Sequence, residues 1–145
     1  MKDVFNVKRS ADGDDVLKQL NGQYKKVVTA AYTSNDYAVD DADTGAIIVL
    51  PTTGANSTVT LPSYDVGLTF KFTVGAQTGA HTVIFAGTFV GVGVDAGVVM
   101  PMSGTALTVA ASDWHPGDVL ELTCISATQW LAEASFVTAD AITVS

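Results

Sequence analysis

The amino-acid sequence predicts an all-β fold, a jelly-roll-like β-sandwich with a short N-terminal arm and helix, and three observations carry that expectation. Leu68, Phe70, Phe72 and Val74 alternate with Thr69, Lys71 and Thr73, the period of two that puts apolar side chains on one face of a pleated strand. The same alternation returns in Leu120, Leu122 and Cys124, and again in Trp130, Ala132, Ala134 and Phe136. Roughly nine or ten such segments, at spacings of about 8 to 12 residues with turn chemistry between them, give the rhythm of a sandwich or barrel.

Residues 1–23 read as the arm and residues 24–145 as the sandwich domain. Met1 to Asn6 is expected to be extended, with Val4, Phe5 and Val7 as anchoring side chains. Asp14 to Leu20 reads as a short helix with acids at its positive end and Asn21-Gly22 as its stop. Its stripe of Val16, Leu17 and Leu20 must dock, because so short a helix is not stable alone.

Charged residues are 15% of the chain and the net charge is −8, against roughly 25% charged residues in an average soluble domain. So few charges fit either a neutral surface rich in Thr and Ser or, the favoured reading, apolar surface that an oligomer or larger assembly covers. The acidic balance argues against nucleic-acid binding, which needs a basic patch. Before Val27 there are six cations against four acids, a net of +2; the remainder has Lys71 against eleven acids, a net of −10. A basic arm leads an acidic body, and the two are expected to face different surroundings.

Cys124 is the only cysteine, so an intrachain disulfide is excluded, and its alternation with Leu120 and Leu122 predicts a buried structural thiol. The first residues lack the apolar core of a secretory signal, and no segment approaches the ~20 apolar residues of a membrane span. Assembly in the cytoplasm, without membrane contact, is the expectation.

Along the body, Tyr24 to Tyr32 is strand-like, Ser34-Asn35-Asp36 is a turn, and Tyr37 to Val39 precedes an acidic loop, Asp40 to Gly45. Counted from Asp40, that loop has a Gly at the sixth place of a calcium loop but Pro51 at the twelfth, where the closing Glu belongs, so its acids read as turn residues. Ile47 to Leu50 is a β-branched run, and Val59 and Leu61 alternate with Thr58 and Thr60. Pro62 and Gly67 allow the chain to reverse so that this strand pairs with the one from Leu68 to Val74. A linker, Gly75 to Ala80, leads to a strand from His81 to Ala86, after which Val90, Val92 and Val94 alternate with Gly91 and Gly93. Glycines on one strand face admit close approach of a backbone or ring; without a Lys-Ser/Thr pair or following helix they make no phosphate loop. Ala106 to Val109, a Pro116-Gly117 type II turn, a hairpin through Ser126 to Thr128 and a last piece, Ala141 to Val144, complete the chain. No period of 20 to 50 residues repeats, which argues against a solenoid or propeller.

No catalytic or metal site is predicted, and no cofactor. His81 and His115 lack neighbours at metal-ligand spacing, no G-x-S-x-G elbow marks a nucleophile, and Glu121 and Glu133 fall on outward positions of the final hairpin. Tyr64, Trp114 and Trp130 are candidates for a sugar platform or for ordinary packing.

The series Asp43-Thr44-Gly45, a β run, Thr58 to Pro62, a corner ending in Gly67, the strand from Leu68 to Phe72 and the late Gln129-Trp130-Leu131 resembles tailed-phage virion proteins. It is most similar to small head decoration, or cement, proteins, over approximately Asp40 to Phe136. The resemblance implies a trimer on the capsid surface that holds an expanded head against internal DNA pressure, with the major capsid protein as partner. The resemblance does not extend to the arm; its charge and apolar anchors make Lys2, Val4, Phe5, Val7, Lys8 and Arg9 the expected capsid contacts, and the glycine-rich face makes Val90, Gly91, Val92 and Gly93 the expected oligomer interface. A tail-fibre or receptor-binding β-domain that recognises host surface glycan is the alternative.

Overall fold

The computed structural model describes residues 25–50, 55–74, 82–110 and 113–145. The expected arm contacts, the helix from Asp14 to Leu20, the linker and His81 lie outside the described residues. Within them the fold is all-β: β1 (Val27–Thr29), β2 (Asp36–Ala38), β3 (Ile47–Leu50), β4 (Ser57–Thr60), β5 (Thr69–Val74), β6 (Thr82–Asp95), β7 (Val98–Pro101), β8 (Gly104–Ala110), β9 (Val119–Ser126), β10 (Gln129–Phe136) and β11 (Ile142–Val144). A 3-10 turn lies at Asp41–Asp43.

The alternating segments fold as their period requires. In β5, Phe70, Phe72 and Val74 are buried while Thr69, Lys71 and Thr73 are half-buried, and β9 and β10 bury Leu120, Leu122, Cys124, Trp130, Ala132, Ala134 and Phe136. The Cys124 thiol donates to the Ser126 carbonyl at 3.2 Å, the interior role expected for it.

Strand partners follow a different logic from the one the turns suggest. β1, β3 and β5 stack in parallel, with Val27 opposite Ile47 and Ile47 opposite Lys71. β2, β4 and β6 do the same, with Asp36 opposite Thr58 and Thr58 opposite Ile84. The chain therefore alternates between two parallel stacks, returning after 20 and 24 residues in one (27 to 47 to 71) and after 22 and 26 in the other (36 to 58 to 84). The lack of a sequence repeat argued against solenoid-like winding, and the first six strands correct that expectation. Parallel stacking asks for crossovers of a dozen or more residues, not for repeated residues.

The corner at Pro62–Gly67 is corrected too. Gly67 has the positive φ expected of it, 101°, and the Leu68 N–H bonds the Asp65 carbonyl at 3.1 Å. Yet β4 pairs with β2 and β6 while β5 pairs with β3 and β9, so the turn passes the chain from one stack to the other instead of closing a hairpin.

β6 joins the stacks. It runs 14 residues without a break, where the sequence suggested a strand to Ala86 followed by a separate Val-Gly segment. Its first half lies between β4 and β8; its second half lies between β10, in parallel, and β7. A register slip against β8 between Ala86 and Phe89 marks the change of partners. The remaining pairs, β5 with β9, β9 with β10 and β8 with β11, are antiparallel. One aromatic interior serves both stacks: Phe72 meets Phe85 edge-on at 4.9 Å, and Trp114 lies 6.2 Å from Phe85 and 5.6 Å from Phe136.

Candidate binding surface

The second half of β6 presents two faces. Phe89, Gly91, Gly93 and Asp95 point inward, while Val90, Val92 and Val94 point outward. Across the β6–β7 hairpin, Val92 pairs with Pro101 and Val94 with Val99, so these four side chains share the outward face. Val92 is 54% exposed and Val99 70%. Ala96 and Gly97, with φ of 47° and 81°, make the two-residue turn that holds the ribbon, both central residues left-handed as such a turn demands.

The four residues expected at an oligomer interface are thus divided. Val90 and Val92 face outward, but the glycines serve the chain itself. A Cβ on Gly91 would sit 2.0 Å from the Ala132 carbonyl oxygen of β10, and one on Gly93 would sit 3.0 Å from the Met102 sulfur. The close backbone approach inferred from these glycines is real and internal at Gly91, while Gly93 makes room for a side chain.

Beside the ribbon, on its inner side, a groove of about 610 Å³ runs between β7 and β11, lined by Asp95, Val98, Met100, Asp140, Ile142 and Val144 among others. Among the described residues β7 pairs only with β6, and β11 only with β8, so each strand turns an unpaired edge outward. Asp95 is 7% exposed, and its Oδ1 has no hydrogen-bond partner among the described residues.

Elsewhere the polar residues hold structure. Lys71 pairs with Glu121 at 3.3 Å, and Glu121 lies directly opposite Glu133 across β9 and β10, in a shallow open hollow. In the acidic loop, Asp40 accepts from the Ala42 N–H at 2.9 Å and Asp43 pairs with Lys26. Burial first, then the Asp43 and Asp40 carboxylates, raise the Tyr37 hydroxyl above its ordinary 10.0. Among the described residues no group of three or more His, Cys, Asp and Glu could hold a metal ion, and no helix is long and apolar enough to cross a membrane. Trp114 and Trp130 are each 1% exposed, so these two indoles are core packing and no sugar platform. Tyr64, half-buried, stacks at 5.9 Å on Trp130 and accepts the Thr88 N–H at 3.1 Å.

The side-chain anchor at one predicted turn gave no sequence signal. Asp118, 2% exposed, accepts the His115 N–H at 2.8 Å, while the Trp114 indole donates to its carbonyl at 3.3 Å. The Asp118 N–H bonds the His115 carbonyl with Gly117 at φ 104°, the turn expected of Pro116-Gly117. His115 is a turn residue, as its sequence setting suggested.

No family model matches the chain, and no match to it was found among curated proteins or solved structures.

Proposed function

We propose that this chain is a structural virion protein, a phage head decoration protein that binds the outside of the capsid as a homotrimer and stabilises it. The observation that carries the reading is the outward ladder of Val92, Val94, Val99 and Pro101 on a chain with only 15% charged residues. Apolar side chains at this density on a protein surface call for a partner surface. Self-association through the ribbon's outer face uses Val90 and Val92 and leaves Gly91 and Gly93 to the fold. The major capsid protein is the second partner, reached by Lys2, Val4, Phe5, Val7, Lys8 and Arg9 of the arm, since a body of net charge −10 has little Coulombic reason to approach an acidic shell. The reading involves no catalysis, cofactor, nucleic acid or membrane, and places assembly in the host cytoplasm.

For the body, the meeting of Phe72 and Phe85 between the stacks supports a two-layer sandwich. Its five parallel strand pairs depart from a jelly roll, which is antiparallel. Burial of Trp114 and Trp130 removes most of the aromatic platform on which the receptor-binding alternative relied.

The test is co-sedimentation with undecorated heads. Full-length protein is expected to bind stoichiometrically, and protein lacking Met1 to Gly22 markedly less. Failure of the full-length chain to bind heads, or binding to host glycan instead, would reject the reading.

A further inference from the structure

We infer that the groove between β7 and β11 is the dock for this chain's own N-terminal segment, residues 5–9, laid in as an added strand with Arg9 beside Asp95. Two features of the groove call for such an occupant. Its walls are strands with unpaired edges and apolar side chains, the arrangement to which an extended peptide adds. It also contains a nearly buried carboxylate with one oxygen unpartnered among the described residues, an arrangement that a cation relieves and an apolar occupant does not.

The segment has the matching pattern. In an extended conformation Phe5, Val7 and Arg9 fall on one side, two apolar groups and then a guanidinium. The segment's charge complements the body, +2 against −10. Reach permits docking on the same molecule. From β1 to β7 the strand order β1-β3-β5-β9-β10-β6-β7 has six steps, at most about 29 Å at ~4.8 Å each. Residues 10–26 span roughly 43 Å even with Asp14 to Leu20 helical, at ~3.3 Å per extended and ~1.5 Å per helical residue. A tether that reaches gives an effective concentration of the order of millimolar, which favours the chain's own arm over that of a second copy at micromolar protein.

The docked arm goes beyond the virion reading, in which the same residues grip the capsid: they must leave the groove to do so. The experiment uses free full-length protein, so its outcome is separate from that of head binding. Val7→Cys is combined with Val98→Cys, which lines the groove, or with the control Val66→Cys at an equally exposed site, 66% against 67%. Under mild oxidation the groove pair is expected to form an intrachain disulfide about tenfold faster than the control. Adding Arg9→Gln, which alters only the arm, is expected to slow it about tenfold. Equal rates for the two pairs, a covalent dimer as the main product, or no effect of Arg9→Gln would each overturn the inference.

Discussion

Asp118 Oδ1 accepts the backbone N–H of Val137 at 3.1 Å, joining positions nineteen residues apart. Its other oxygen accepts the His115 N–H at 2.8 Å, so one buried carboxylate anchors both the Trp114 loop and the chain leaving β10. Removing it leaves two part-buried N–H donors without their acceptor. Asp118→Ala is expected to cost about 3 kcal/mol in denaturant unfolding, and Asp118→Asn less, because its amide keeps one acceptor. An unchanged unfolding midpoint for Asp118→Ala would show that the loop is held by Trp114 packing alone.

Gly91→Ala is expected to destabilise strongly, by about 2 kcal/mol or more. Its Cβ would collide with the Ala132 carbonyl, and Gly91 has φ of 146°. Gly93→Ala should be milder, since it meets the flexible Met102 side chain at 3.0 Å. Thermal melts of the two variants compare backbone collision with side-chain crowding directly. Equal losses would argue against the distinction.

Val92→Lys with Val99→Lys should weaken self-association while changing folding stability by only about 1 kcal/mol in total. Both side chains lie on the outer face of the ribbon and are more than half exposed. Sedimentation velocity reads the first effect and a melt the second. Unaltered assembly would move the interface elsewhere.

Alkaline stability should depend in part on Tyr37, alongside Tyr32, whose hydroxyl burial also raises. Below pH 10.0, its ordinary value, the hydroxyl is protonated both folded and unfolded and contributes no pH dependence; above it the unfolded chain loses the proton first, and stability falls until the raised folded value is passed. Tyr37→Phe should flatten that fall, as measured by denaturant midpoints between about pH 9 and 11. An identical pH slope in the variant would assign the fall to other groups.

Much of the fold was legible because period-two alternation reports burial directly. Phe70 and Phe72, Leu120 and Leu122, and Trp130 lie where their spacing puts them. Strand direction was not legible, since alternation is the same for parallel and antiparallel partners; hence the Pro62–Gly67 corner suggested a hairpin where the chain crosses between stacks. Gly91 revealed a close approach but not that its neighbour would be Ala132 of the same chain. The Asp118 anchor stayed hidden because a single acid in a turn looks solvated until the distant Val137 is brought to it.

The parallel stacks bear on how the protein acquires its structure during synthesis. β5 has one neighbour in β3, already made, but its other in β9, with Phe72 opposite Leu120. The first half of the chain therefore leaves the ribosome with an open edge that stays unpaired until some fifty more residues follow. Such long-range pairing is slow to nucleate, and exposed strand edges are prone to aggregate meanwhile. The tight β9–β10 hairpin, with Leu122 opposite Ala132, is the local structure best able to form early and act as a template. Folding is then expected to run backward along the chain, from the last strands toward the first.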